Sequence, residues 1–224
     1  MSESEGQARF FVQTWAEAVL RQAARARTIR HTAEQNSRDY DLMEDWSPPL
    51  YLLVENFRTQ WAEEHQLLWA AHQLERWDAR LRRERGQEPR PQDAFLKTVR
   101  DALEHLDEVD FEDGQAVAPP APTKRAERIG RAVRDLPGGV LDLGLGPESL
   151  VGGISAQAIE ARALEAVRAV EGELAAEQLE EHAAYLRATE NDPAMRQVLE
   201  DIADAYDHPE LVTRLDPDGT GSTD

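Results

Sequence analysis

One short run of residues carries side-chain types that could do chemistry together: Arg100, Asp101 and His105, spaced R-D-x-x-x-H. A histidine changes charge near neutral pH, so it can take up or release a proton during a reaction. An arginine offers a planar fork of donors that matches a phosphate or a carboxylate. The pattern therefore favours proton transfer beside an anionic group.

These residues lie within Pro91–Asp113, which the apolar spacing predicts to be one amphipathic helix. Its buried stripe consists of Leu96, Val99, Ala102, Leu103, Leu106 and Val109. Arg100 and His105 fall on opposite borders of that stripe, about 140° apart. Asp101 lies four residues before His105, and Arg100 four before Glu104, so both pairs could form local ion pairs. Two such pairs would explain all four residues without any catalytic function.

Two long helices are predicted before this segment. Gln7 to Arg38 and Pro49 to Arg85 both place apolar residues at three- and four-residue spacing. Ser47 followed by Pro48 is typical of a helix start, with Ser47 as the N-cap. All five tryptophans lie in the first third of the chain, so we expect the best-packed core there.

Arginines cluster on the faces of both long helices that the apolar stripes leave exposed, and they could bind phosphate. The alternative is a solvated face that also pairs with acidic residues of the C-terminal half. The candidate phosphate- or RNA-binding residues are Arg21, Arg25, Arg27, Arg30, Arg80 and Arg83.

The chain changes character after Asp113. Gly114–Lys124 is rich in proline and alanine and is predicted to be a linker. Residues 125–154 are predicted to form a short helix and a small β-hairpin, in which Gly139–Leu143 pairs with Leu150–Ile154.

The last part of the chain, residues 155–208, is predicted to form acidic helices. Ser155 should cap a helix that runs to about Thr189, and a shorter helix should follow to about Asp207. Residues 209–224 should form a disordered tail. From residue 155 onward there are 17 acidic and 5 basic residues, a net charge of −12 against −7 for the rest. This half could therefore act as an autoinhibitory or partner-binding module that covers the arginine faces.

Composition excludes several classes of protein. The 224 residues carry a formal charge of −19, which argues against broad affinity for nucleic acid. There are no cysteines, so disulfides and cysteine-ligated metal sites are excluded, and we expect no cofactor. No apolar run reaches the roughly 18 residues of a membrane span, so we expect a soluble, cytoplasmic protein without a membrane partner.

The motif Arg100-Asp101-Ala102-Leu103-Glu104-His105 resembles the signature of the HEPN ribonucleases, named for higher eukaryotes and prokaryotes nucleotide-binding domains. The resemblance covers residues 7–113 and implies a metal-independent endoribonuclease of the toxin or phage-defence type. His105 would be the general acid and base, and Arg100 would stabilise the phosphate. Asp101 would orient His105.

The resemblance also implies a homodimer in which two motifs face one cleft, RNA as the substrate, and an antitoxin or regulatory protein as a further partner. We therefore predict an all-α protein: a bundle of long antiparallel helices over residues 7–113, a small β-hairpin insertion at residues 139–154, and C-terminal helices. The alternative function is a non-catalytic helical interaction or assembly protein.

Overall fold

The computed structural model describes residues 1–42, 47–120, 128, 130–145, 150–190 and 193–198. It confirms the predicted all-α fold with a small antiparallel sheet. Contacts divide the chain into two units, Met1–Val170 and Glu171–Asp224. All the candidate site residues lie in the first unit. None of the described helices is both long and apolar enough to cross a membrane.

Two long helices, α1 (Glu3–Asp41) and α2 (Leu50–Glu84), pack antiparallel. Near one end of the pair, Phe11 stacks on Trp77 with ring centroids 4.3 Å apart. α1 buries mostly small side chains at helical spacing, so α2 can approach closely along one face. These buried residues are Ala8, Val12, Ala16, Val19, Ala23 and Ala26.

The predicted N-cap of α2 is wrong. The helix begins at Leu50 with Pro49 as its N-cap, and the Ser47 hydroxyl instead donates a hydrogen bond to the Asp39 carbonyl at 2.7 Å. A residue that precedes a proline is disfavoured in the helical conformation. Two consecutive prolines therefore delay the helix until after Pro49.

The first two turns of α2 are less buried than the apolar pattern predicts, because Leu50, Val54 and Phe57 are exposed. In α2 the buried residues begin at Gln60, and in α1 they end at Ala26. The core therefore occupies the end of the helix pair against which the later elements pack.

Helix α3 (Ala94–Glu104) is shorter than the predicted helix Pro91–Asp113. The Asp93 carboxylate caps it by accepting hydrogen bonds from two N–H groups of the first turn, both at 3.0 Å. The chain leaves the helix at His105 and makes a single 3-10 turn, Leu106–Glu108. Burial of the first four residues of the predicted stripe is confirmed: Leu96, Val99, Ala102 and Leu103.

The predicted helix also ends early because its last residues belong to a β-hairpin. Strands β1 (Asp110–Glu112) and β2 (Gln115–Val117) pair antiparallel. They are joined by Asp113 and Gly114, whose φ angles are 48° and 78°. Asp-Gly with both φ angles positive suits a two-residue type I′ turn. The start of the predicted linker is therefore a strand.

Strand β3 (Val140–Asp142) confirms that this segment is extended, but its partner differs from the predicted one. β3 pairs with β2, in the sheet order β1-β2-β3. The predicted partner contributes one isolated bridge, Leu150 to Ile154. The hairpin at Asp113–Gly114 supplies an edge strand, and β3 adds to it. Part of the predicted turn, at residues 146–149, lies outside the described residues.

The later elements are α4 (Arg131–Arg134), 3-10 turns at Pro137–Gly139 and Val151–Gly153, α5 (Ala156–Glu190), and α6 at residues 193–198. The Ser155 hydroxyl accepts from the Ala158 N–H at 3.2 Å, which confirms the predicted cap of α5. The predicted helix start at Arg125, the helix end near Asp207 and residues 209–224 fall outside the described ranges.

A buried carboxylate joins three segments of the first unit. Glu64 on α2 accepts hydrogen bonds from Arg30 of α1 at 2.7 Å and from Gln60 at 2.9 Å. Its second oxygen accepts from the Val151 N–H at 3.0 Å. Because a buried charge must be paired to be tolerated, these bonds fix the 3-10 turn against the two long helices.

Candidate functional site

An open groove of about 680 Å³, the α3–α4 groove, contains all three residues of the R-D-x-x-x-H motif. Arg100 and Asp101 come from the last turns of α3, and His105 is the residue at which that helix ends. Three further cations and three further acids line the groove: Lys97, Arg128 and Arg131, and Glu104, Glu108 and Asp135. The structure therefore brings an exposed histidine and several cations to one surface.

Arg100 is held from several sides. Its guanidinium pairs with Asp101 and with Glu104, and it lies 5.7 Å from the centre of the Trp69 ring. The side chain is only 16% exposed. A guanidinium restrained by two carboxylates and an aromatic face is held in one orientation in the groove, with its charge offset by the two acids.

His105 is held by Glu108 and not by Asp101. The His105 Nδ1 atom lies 3.2 Å from the Glu108 carboxylate, whose other oxygen accepts from the Gly130 N–H at 3.3 Å. When Nδ1 donates to that carboxylate, the neutral ring keeps its lone pair on Nε2. The imidazole is therefore oriented for proton transfer through Nε2.

Gly130 makes the link to Glu108 possible. Its φ is 62°, and a Cβ atom there would lie 3.0 Å from the Pro119 side chain and 3.1 Å from that of Val109. A glycine tolerates both the positive φ and the close approach. The backbone N–H of this loop can therefore reach the groove wall.

The expected ion pair between Asp101 and His105 does not form, and each residue pairs with another. Because α3 ends before His105, the spacing of four residues no longer places the two side chains on one helical face. Asp101 pairs with Arg100 instead. The only sequence signal for the pair of His105 with Glu108 is their spacing of three residues, which allows side chains to pair within a helix.

The candidate phosphate-binding arginines are mostly engaged with carboxylates. Arg30 is bound to buried Glu64, and Arg27 pairs with Glu160 on α5. The full set of pairs is Arg21–Glu17, Arg25–Glu63, Arg27–Glu160, Arg30–Glu64 and Arg80–Glu84. Only Arg27 pairs with an acid of the C-terminal half, as the alternative expects, whereas the other four pair with glutamates of α1 and α2. The sixth residue, Arg83, lies in a different environment.

Arg83 lines a basic pocket of about 330 Å³ between α2 and α3, the α2–α3 pocket. Its lining residues are His72, Arg76, Arg83, Gln92, Lys97 and Arg100. The spacing of His72, Arg76 and Arg83, four and seven residues apart, places them on one face of α2. That spacing was the available sequence signal for a basic face on α2. It did not indicate that α3 would add Lys97 and Arg100 to the same pocket.

His72 is 4% exposed, and its Nδ1 atom has no hydrogen-bond partner among the described residues. Burial lowers its pKa, and the Arg100 and Arg76 charges lower it further. Asp101 opposes that effect, and Lys97 adds to it. The imidazole is therefore held towards its neutral form in a pocket of positive charge.

The described ranges contain no group of three or more histidine or acidic side chains placed to hold a metal ion. Comparisons with protein-family models, curated proteins and solved structures give no match. Function is therefore argued from the residues of this chain.

Proposed function

We propose that this chain is a metal-independent endoribonuclease that cleaves RNA in the α3–α4 groove. The observation that carries the proposal is that Arg100 and His105 line the same groove as Lys97, Arg128 and Arg131. A histidine beside fixed cations is what cleavage of a phosphodiester requires, since protons must move while negative charge grows on phosphate oxygens. The motif's resemblance to the HEPN ribonucleases adds support.

In this reaction the 2′-oxygen of the RNA attacks the adjacent phosphorus, and the bond from phosphorus to the 5′-oxygen breaks. His105 takes the proton from the 2′-hydroxyl as general base, and the departing 5′-oxygen receives a proton from the imidazole as general acid. Arg100 stabilises the extra negative charge of the five-coordinate phosphorus. Asp101 holds the guanidinium of Arg100, and Glu108 holds the imidazole of His105. The products are a 2′,3′-cyclic phosphate and a 5′-hydroxyl.

The proposal includes a homodimer. The resemblance implies this arrangement, in which the exposed His105 of one chain would act together with the Arg100 of a second copy whose groove faces the first. An antitoxin or regulatory protein would then act by covering this groove.

Cleavage of a labelled single-stranded RNA in the presence of EDTA tests the proposal. Wild-type protein should release fragments that end in a cyclic phosphate, while Arg100→Ala and His105→Ala should each lower kcat by roughly 10²-fold or more. His31→Ala, an exposed histidine on α1, is the matched control and should cleave normally. A strand with 2′-deoxy sugars should stay intact because it lacks the nucleophile.

The alternative is a non-catalytic helical interaction protein. It is favoured by the local ion pairs of Arg100 with Asp101 and Glu104 and of His105 with Glu108, which account for the motif without chemistry. Full cleavage by both the Arg100→Ala and His105→Ala variants, or no cleavage by wild type, would leave this alternative standing.

A further inference from the structure

The α2–α3 pocket lies next to the groove and shares two of its residues. Lys97 and Arg100 line both spaces. Arg76 and Arg83, which line only the pocket, are exposed. In the part of the chain that the structure describes, neither these two arginines nor Lys97 forms an ion pair. Arg100 pairs with Asp101 and Glu104, so the unneutralised positive charge of the pocket comes from Lys97, Arg76 and Arg83.

Two polar atoms of the pocket residues are buried without partners. His72 Nδ1 and Arg100 Nε make no hydrogen bond to any described residue. Leaving a buried donor or acceptor unpaired costs about 1–3 kcal/mol, so such atoms are rare in stable proteins. Both residues line the same basic pocket, where an oxyanion would supply acceptors.

We propose that the α2–α3 pocket binds a phosphate of single-stranded RNA next to the one that is cleaved, with Arg76 and Arg83 as its outer ligands and His72 at its floor. The identification of the anion as an RNA phosphate rests on the proposed function. One strand can run from the groove into the pocket because Lys97 and Arg100 face both. The pocket thus fixes which bond of the strand reaches His105.

The contrast with the other arginines supports this assignment. Arg21, Arg25, Arg27, Arg30 and Arg80 are each paired with a glutamate. The chain has 44 acidic residues against 25 lysines and arginines. Arg76 and Arg83 have no carboxylate partner among the described residues, so they are suited to bind an external anion.

Binding of an RNA that cannot be cleaved tests the pocket separately from catalysis. The probe is a fluorescent oligonucleotide with 2′-O-methyl sugars, titrated at several salt concentrations against wild type, Arg76→Ala/Arg83→Ala, His105→Ala and Arg58→Ala. Arg58 is exposed on the same helix and lines neither the pocket nor the groove. Circular dichroism melts establish that each variant is folded.

The pocket variant should bind roughly tenfold to a hundredfold more weakly, because charge-assisted hydrogen bonds to the phosphate are removed. The slope of log affinity against log salt should become shallower by about 0.7 for each phosphate that the variant no longer neutralises. Arg58→Ala should bind like wild type, and His105→Ala should bind this probe well although it fails to cleave the labelled RNA of the cleavage assay.

A second arm uses inorganic sulfate as a simple oxyanion. Sulfate should raise the melting temperature of wild type and of Arg58→Ala, and should raise that of the pocket variant much less. Unchanged RNA affinity and an unchanged sulfate effect in Arg76→Ala/Arg83→Ala would overturn the pocket, even if His105→Ala abolishes cleavage. A different outcome is that sulfate stabilises the protein through Arg76 and Arg83 but the protein binds no RNA. That result would overturn the RNA assignment together with the proposed function.

Discussion

The Glu108 carboxylate lies 3.2 Å from Nδ1 of His105, and the two residues bracket the 3-10 turn that follows α3. Its second oxygen is bound to the Gly130 N–H, in the loop before α4. The orientation of His105 therefore depends on a loop far from it in sequence. In the ribonuclease proposal this makes Glu108 a positioning residue.

Glu108→Ala should lower kcat at least roughly tenfold and change KM little, because a histidine that is no longer oriented loses part of the 10²- to 10⁴-fold gained from proton transfer. Steady-state kinetics on a short RNA would measure both effects.

Glu108→Gln keeps an acceptor for one of the two N–H groups and should give an intermediate kcat. Glu112→Ala, an exposed acid on β1 that does not line the groove, is the control for the removal of a negative charge. Equal rates for wild type and Glu108→Ala would remove the positioning role.

The stability of the protein should fall as the solution becomes acidic, in part because of His72. Burial and the nearby cations lower the pKa of His72 in the folded state, whereas the unfolded side chain titrates near its ordinary value of about 6.5. Between the two pKa values the unfolded state binds more protons, so the free energy of unfolding rises with pH. The stabilising contribution is therefore present above about pH 6.5 and is lost below it.

Urea denaturation at about pH 7.5 and about pH 5.5 would measure this change against the ordinary histidine pKa. In His72→Gln the free energy of unfolding should depend less on pH. Part of the dependence should remain because of His65, whose pKa is lowered by burial against an opposing effect of Glu104. Sulfate should reduce the loss for wild type, because an anion beside His72 favours its charged form. A wild-type dependence equal to that of His72→Gln would contradict the assignment.

The end of α3 shows why part of the site could not be predicted from the sequence. The buried stripe from Leu96 to Leu103 was predictable because a single helical period determines it. The predicted helix is too long because Leu106 and Val109 continue that period by chance. The Asp113–Gly114 pair is a strong signal for a two-residue turn, but it stands at the start of the segment whose composition predicts a linker. Because α3 ends at Glu104, His105 pairs with Glu108 and not with Asp101 as the longer helix predicted.

The α2–α3 pocket was harder still to predict. His72, Arg76 and Arg83 share a helical face by spacing alone, but their function depends on which residues α3 presents to them. Lys97 and Arg100 reach the pocket through tertiary packing, which one-dimensional periodicity does not encode. The pairing of β3 with β2 could not be predicted either, because each strand contains only three residues and such a short segment shows no clear periodicity.

The network around Glu64 should contribute measurably to the stability of the first unit. Glu64→Gln removes the charge that Arg30 pairs with and leaves an amide where two donors and one further N–H converge. We expect a loss of about 1.5–3 kcal/mol in the free energy of unfolding, as for hydrogen bonds to charged groups. Glu165→Gln, at the exposed pair with Arg90, should change stability far less, and chemical denaturation of both variants gives the comparison.

The shared site of the proposed dimer predicts that two inactive variants can restore one another. Arg100→Ala keeps a normal His105, and His105→Ala keeps a normal Arg100, so a mixed dimer holds one of each at the facing grooves. After the variants are mixed and allowed to exchange subunits, part of the ribonuclease activity should return. Light scattering should give a dimer mass for each variant and for the mixture. Activity that stays at the level of the separate variants, although subunit exchange is demonstrated by differently labelled chains, would mean that each groove works alone.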